Sequence, residues 1–137
     1  MNNIQTAKTL FNKGDYTCVL VNGEDVVTST EDGIKPLVGY LNDDKDYSGY
    51  SAADKVVGRA AAFLYVKLNV KGVWAKTMSR EGRDILDTFG ISTFYEELTP
   101  KIMNRVGDDI CPMDKALVGV VDPDPAAEIL KEKVASM

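Results

Sequence analysis

The stretch SAADKVVGRAAAF, at residues 51–63, sets ionisable side chains among small apolar ones. A serine followed three residues later by an acidic residue is typical of a helix N-terminal capping box. Ser51 and Asp54 therefore predict a helix that begins here, with both side chains bonded to first-turn groups. Lys55 and Arg59 are four residues apart and would share one face of that helix. Together with the free N–H groups of its first turn they could hold an anion such as a phosphate.

A second segment, CPMDK at residues 111–115, repeats this arrangement. Proline favours the first position of a helix, which puts Cys111 at the N-cap and Asp114 at the third position. Lys115 then follows Asp114 as Lys55 follows Asp54. A cysteine at a helix N-terminus can have a lowered thiol pKa, although the nearby carboxylates oppose this effect.

Residues close to these two helix starts could contribute to the same cavity. Arg105 could contact an anion, Asp108 could add a carboxylate, and Lys35 is a weaker candidate for the rim. The predicted ligand-binding set is Ser51, Asp54, Lys55, Arg59, Arg105, Asp108, Cys111 and Lys115. The alternative for the cations is pairing with loop carboxylates, namely those of Asp43, Asp44 and Asp46.

The amino-acid composition excludes several kinds of catalysis. The chain has no histidine, which removes Ser-His-Asp and Cys-His catalysis and histidine metal ligation. A catalytic zinc needs about three protein ligands, usually His or Cys, and the chain has two cysteines. We therefore predict no metal and no cofactor. A magnesium site built from carboxylates alone stays open, since there are 21 acidic residues.

The net charge and the hydropathy of the chain indicate which partners and which cellular compartment to expect. The net charge of −5 argues against nucleic-acid binding, which needs a concentrated basic face. No apolar run approaches the roughly 18 residues that cross a bilayer. The first residues, MNNIQTAKTLF, lack the layout of a signal peptide, and two cysteines make no disulfide framework. We expect a cytoplasmic protein without nucleic-acid or membrane partners.

Hydrophobic periodicity and turn residues predict the elements that must position these side chains. The predicted helices cover residues 4–13, 34–41, 52–68, 81–89, 112–118 and 125–134. The predicted strands cover residues 16–21, 26–28, 70–78 and 91–95, with a hairpin turn at Asn22-Gly23 and a turn followed by a loop over 99–109. The last helix is amphipathic and could cover the sheet or contact a second subunit, so a homo-oligomer is an open alternative.

This order of elements predicts the fold class. A hairpin followed by alternating strands and helices indicates a mixed sheet covered by helices. Right-handed crossovers place the strands at 70–78 and 91–95 parallel to each other. We predict one α/β domain over residues 1–137, a three-layer α/β/α sandwich with a mixed sheet.

The order of elements also resembles the cytidine-deaminase-like fold. More narrowly, the chain resembles a family of small prokaryotic proteins, domain of unknown function 1893, in GIKPL (33–37), SAADKVVGRAAA (51–62) and NRVGDDICPMDKAL (104–117). The resemblance implies the deaminase-like fold and no established activity. Zinc deaminases carry a His-or-Cys, Ala, Glu signature and a Pro-Cys-x-x-Cys signature at two helix starts. The corresponding stretches here are SAAD (51–54) and TMSREG (77–82), so we do not expect zinc-dependent deamination.

The sequence thus predicts a zinc-free, deaminase-like domain that binds a small anionic ligand, such as a nucleotide or a related metabolite. One alternative is a zinc-independent enzyme with Cys111 as nucleophile, or with Asp54 and Asp114 as acid–base groups. A second is a structural or regulatory subunit in which the same residues serve as helix caps.

Overall fold

A computed structural model describes residues 2–137 and forms six helices and five strands within them. The helices are α1 (Asn3–Lys13), α2 (Lys35–Asn42), α3 (Arg59–Leu68), α4 (Arg80–Thr88), α5 (Pro112–Lys115) and α6 (Pro123–Ala135). The strands are β1 (Cys18–Asn22), β2 (Asp25–Ser29), β3 (Ser51–Val57), β4 (Gly72–Ser79) and β5 (Ser92–Thr99).

The strands form one mixed sheet in the order β2-β1-β3-β4-β5. Strand β1 is antiparallel to both β2 and β3, whereas β3, β4 and β5 are parallel. The predicted hairpin is present, and its turn uses Gly23 with a positive φ of 61°, which glycine adopts without a Cβ penalty. The predicted parallel pairing of the third and fourth recognised strands, here β4 and β5, is confirmed.

Helices cover both faces of the sheet. On one face, α1 packs Ala7 and Phe11 against Val19, Ala53 and Trp74. On the other face, α3 is the central helix, with α2, α4 and α6 packed around it. The predicted three-layer α/β/α sandwich is therefore confirmed.

The C-terminal helix α6 belongs to the layer that contains α3. Its Ala126, Ala127 and Leu130 are buried in the same core as α2 and α3. A homo-oligomer stays a prediction. In the described part of the chain, 2–137, no helix has the length and apolar character needed to cross a membrane.

The main error in the sequence prediction is the helix at 52–68. Its first half is β3, the central strand of the sheet, and the helix α3 begins only at Arg59. Alanines favour helices in isolation, but here Ala52 faces the core under α3 and Ala53 faces the core under α1. A strand covered on both faces needs small or apolar residues at successive positions, which explains the pattern.

The remaining differences are at element ends. The segment after β5 is irregular, with an isolated bridge between Met103 and Ile110. The helix predicted at 112–118 is the single turn α5, and the last helix begins two residues earlier than predicted, at Pro123.

Candidate functional site

A cavity of about 510 Å³ lies at the C-terminal end of β3. Its walls come from β3, the first turn of α3, the loop 32–34 and the segment 102–114. Ligand sites of open α/β sheets commonly lie outside the carboxyl ends of strands. The volume is also within the range of small-molecule sites. The cavity is therefore the candidate site.

Asp54 contributes a half-buried carboxylate to this cavity. It lies on β3, opposite Cys18 of β1 and Ala75 of β4. The Tyr65 hydroxyl donates a hydrogen bond of 2.6 Å to Asp54 Oδ2, and the Val56 N–H donates to Oδ1 at 3.3 Å. Burial raises the pKa of Asp54 to about 6, although these hydrogen bonds oppose the shift.

Asp54 contacts a buried pair of polar side chains, Tyr65 and Cys18. Tyr65 is fully buried on α3, and its hydroxyl lies 3.3 Å from the sulfur of Cys18, a residue that is only 4% exposed. Burial, reinforced by the Asp54 carboxylate, raises the pKa of both Tyr65 and Cys18. Both groups are therefore neutral at physiological pH. Cys18 is a core residue.

Asp114 caps α3 from a distant part of the chain. Its Oδ2 accepts from the Arg59 N–H at 3.1 Å and its Oδ1 from the Ala60 N–H at 2.9 Å. The sequence predicted that Ser51 and Asp54 cap this helix, which is wrong. Ser51 is a buried strand residue, and the N-cap position is Gly58. Burial raises the pKa of Asp114, and the two N–H groups oppose the shift.

Gly58 is required by this cap. A β-carbon there would overlap the Asp114 carboxylate and lie 2.8 Å from Ile102 Cγ1. The segment 102–114 therefore fits closely over the start of α3. Because Asp114 already binds the first two N–H groups of α3, these two groups are not available to an external anion.

Two exposed cations lie at the mouth of the cavity. Lys55 and Arg105 both line it, and neither forms an ion pair within residues 2–137. The loop carboxylates predicted as alternative partners of Lys55 are not used in that way. Asp43, for example, accepts from the Tyr47 hydroxyl at 2.8 Å.

Two other predicted cations, Lys115 and Arg59, have protein partners. Lys115 pairs with Asp109 at 2.7 Å. Arg59 points away from the cavity, where its Nη1 lies 2.7 Å from Glu81 and its Nη2 donates to the Val120 carbonyl at 2.8 Å. The predicted shared face of Lys55 and Arg59 does not exist, since Lys55 is on a strand.

The structure thus brings together part of the predicted set. Residues around the cavity are Asp54, Lys55, Arg105, Cys111 and Asp114. Residues outside it are Ser51, Arg59, Asp108 and Lys115. Asp108 accepts a hydrogen bond from the Asn104 side chain at 2.8 Å instead. Lys35 lies on α2 beside a different groove.

Several cavity residues were not found by sequence reasoning. Thr17 and Asp32 line the cavity, and Ile34, Ile102 and Met113 supply apolar wall. Tyr65 was also missed, because its hydrogen bond to Asp54 forms only if residue 54 lies on a strand and the following helix packs against that strand. Recognising residues 51–57 as a strand would have provided that signal.

The arrangement of the donor side chains decides whether the described residues could hold a metal ion. Within residues 2–137, no group of three or more Cys, Asp or Glu side chains is arranged to hold a metal ion. The helix that follows β3 begins at Gly58-Arg59-Ala60 rather than at Ser51, so the corrected helix start also lacks the residue types of a zinc site.

Comparison with known proteins gives a consistent result. The sequence model of the family "Domain of unknown function (DUF1893)" matches residues 6–134. The crystal structure of a DUF1893 family protein from Thermotoga maritima is similar to this chain, with 27% identity and a TM-score of 0.89 over 96% of this chain and 90% of the other.

A more distant likeness is to the apo crystal structure of dCMP deaminase from the cyanophage S-TIM5. The identity is 13% and the TM-score 0.44, over 71% of this chain and 94% of the other. A likeness at this level carries no inference about activity. No curated protein matches the chain significantly. Because the family model matches nearly the whole length of the chain, the chain belongs to the family domain of unknown function 1893.

Proposed function

We propose that this chain binds a small anionic ligand, a nucleotide or a related metabolite, in the cavity at the end of β3. The observation that carries the proposal is the pair of exposed cations, Lys55 and Arg105, at the mouth of a cavity and without an ion-pair partner within residues 2–137. Other cations near the predicted site, those of Arg59 and Lys115, are already paired.

The walls of the cavity support the same proposal. Ile34, Val56, Ile102 and Met113 offer apolar surface for the body of a ligand. Small-molecule sites typically combine such walls with a few polar groups that fix orientation. The anionic group of the ligand stays near the mouth, where the two cations are exposed to solvent. Apolar contact therefore contributes most of the affinity and the cations contribute selectivity.

Lys55 and Lys115 provide a matched test, because each follows an aspartate in one of the two similar sequence segments but only Lys55 lines the cavity. Isothermal titration calorimetry measures binding of the four ribonucleoside 5′-monophosphates and a nucleotide sugar to the wild type, Lys55→Ala and Lys115→Ala. We expect saturable binding of at least one compound, weakened about 3- to 10-fold by Lys55→Ala, as for loss of one hydrogen bond of typical net strength at an exposed site. Lys115→Ala should leave the Kd unchanged. Binding of none of these compounds, or equal effects of the two substitutions, would overturn the proposal.

A second candidate is a zinc-independent enzyme. The observation that favours it is a carboxyl group, Asp54, with a pKa of about 6 in the same cavity as Cys111. A general acid–base group works best when its pKa is near the operating pH. The rate of Cys111 alkylation by iodoacetamide against pH tests the nucleophile version. A rate that follows an ordinary thiol pKa near 8.5 removes it.

We infer a cytoplasmic location for this protein. Both cysteines are free, and the half-buried Cys111 lines the cavity, which suits a reducing compartment. Cell fractionation with an antibody against the protein tests the location, and recovery from an oxidising compartment would contradict it.

A further inference from the structure

The charged groups of the cavity differ in burial. The carboxylates of Asp54 and Asp114 are half-buried, whereas the cations Lys55 and Arg105 and one further carboxylate, Asp32, are exposed, so the exposed part of the lining has a net positive charge. A ligand that satisfies both regions carries hydrogen-bond donors at its inner end and negative charge at its outer end. A ligand that is anionic throughout would place negative charge against the carboxylates.

Of the two carboxylates, Asp54 is the one whose hydrogen bonds within the protein are weaker. Asp114 accepts two helix N–H groups at 3.1 and 2.9 Å, those of Arg59 and Ala60. Asp54 Oδ2 accepts from Tyr65 at 2.6 Å, but the contact from the Val56 N–H to Oδ1 is long, at 3.3 Å. Since a carboxylate offers about four lone-pair positions, Asp54 can accept further donors.

The orientation of the Asp54 carboxylate is fixed by its hydrogen bond with Tyr65. Tyr65 is fully buried on α3, and its hydroxyl contacts both Asp54 Oδ2 and the Cys18 sulfur. The buried ring restricts rotation of the carboxylate. Two preoriented acceptor oxygens side by side match a group with two adjacent N–H donors, as in bidentate recognition of carboxylates.

Resting on the proposed function, we propose that Asp54 recognises two adjacent N–H donors, as on the N1–H and 2-amino edge of guanine, and that the ligand is a guanine nucleotide. Its phosphate then lies toward Lys55 and Arg105. The corresponding edges of adenine and cytosine present an acceptor beside a donor, which would face a carboxylate lone pair. The apolar side chains of Ile34 and Ile102 provide surface for the planar base.

A pair of ligands that differ in one donor tests this assignment. Calorimetry at pH 8, where Asp54 is ionised, compares GMP with IMP, which lacks the 2-amino group, and with AMP and ribose 5-phosphate. We expect GMP to bind about 10-fold more tightly than IMP, as for one unpaired polar group. The Asp54→Asn variant should reduce the ratio of the two Kd values to about one, while Lys115→Ala should leave it unchanged.

The outcomes separate this inference from the proposed function. If GMP and IMP bind equally to the wild type, or if Asp54→Asn retains the preference, the base assignment is wrong while the anion site stands. If none of the four compounds binds, the base assignment fails, and the proposed function fails as well if CMP, UMP and the nucleotide sugar also do not bind. Should Asp54→Asn not fold, the wild-type GMP-to-IMP ratio still decides the matter. Tyr65→Phe, which keeps the carboxylate but removes its anchor, should lower that ratio.

Discussion

The Tyr65 hydroxyl donates a hydrogen bond of 2.6 Å to the Asp54 carboxylate. The same hydroxyl lies 3.3 Å from the Cys18 sulfur, so the contacts run from β1 through α3 to the floor of the cavity. Asp54 is therefore held by the fully buried interior on one side and open to the cavity on the other. This position explains both its raised pKa and its availability to a ligand.

Asp54 should make stability depend on pH. Burial raises its pKa from 3.8 to about 6, so between these values the folded protein keeps a proton that the unfolded chain has released. Stability from the neutral form is complete below about pH 4 and is lost as the pH rises through 6. The Asp54→Asn variant lacks this loss. Relative to wild type, its free energy of unfolding should rise by roughly 1–3 kcal/mol from pH 4 to pH 7.

Urea denaturation of both proteins at half-unit pH steps measures this difference. Burial raises the pKa of Tyr65, Cys18 and Tyr40, so none of these neighbours titrates in the same window. Asp114 also has a raised pKa, but its contribution is common to both proteins and cancels. A difference that is constant with pH would contradict the assigned state of Asp54.

The Asp114 cap should be coupled to Gly58. Asp114→Ala leaves the N–H groups of Arg59 and Ala60 without their acceptor and should cost about 1–2 kcal/mol of stability. Gly58→Ala should cost about 1–3 kcal/mol, because its β-carbon overlaps the carboxylate, while the φ of −103° suits alanine.

A double-mutant cycle checks that one contact underlies both losses. Gly58→Ala should be less damaging by about 1 kcal/mol when Asp114 is already alanine, with the residual cost arising from Ile102. Additive losses would mean that the cap and the close approach are independent.

The two cysteines should differ in accessibility. Cys18 is 4% exposed within the sheet, and burial raises the pKa of its thiol, whereas Cys111 is half-buried and lines the cavity. Iodoacetamide should modify Cys111 in the folded protein and reach Cys18 only after unfolding. Peptide mass spectrometry after timed labelling distinguishes the sites, and rapid labelling of Cys18 in the native protein would refute the placement of β1.

Arg59 should stabilise the fold without contributing to the cavity. Its guanidinium bridges Glu81 and the Val120 carbonyl, and its side chain is 18% exposed. Arg59→Ala should lower the free energy of unfolding by about 1–3 kcal/mol. Lys115→Ala, which breaks an exposed pair with Asp109, should cost under about 1 kcal/mol. Thermal or urea melts measure both, and a stable Arg59→Ala variant with weakened nucleotide binding would reverse the assignment.

Much of the fold followed from local sequence signals. The Asn22-Gly23 hairpin, the helix predicted at 34–41 (α2) and the alternation of β4, α4 and β5 were each predicted correctly. Residues 51–57 were not, because alanine and lysine are good helix formers in isolation and become a strand here only through burial on both faces.

The candidate site was predictable in part, for a physical reason. Asp54, Lys55, Arg105, Cys111 and Asp114 surround one cavity although they were selected on a mistaken local structure for the first two. The partner of Lys115 and the capping of α3 by Asp114 depend on how the segment 102–114 folds back. Asp114 lies 55 positions after Arg59 and 54 positions after Ala60 in the sequence, and no local pattern encodes a contact between residues so far apart.

A ¹⁵N–¹H NMR titration of the full chain with GMP shows residue by residue whether the nucleotide binds in the cavity at the end of β3. We predict that the largest shifts fall on amides of residues 54–58 and 102–105, which surround the cavity, and that Lys55→Ala reduces them. Unshifted amides at saturating GMP would contradict this prediction, as would shifts centred on the separate groove beside Phe89 and Val121.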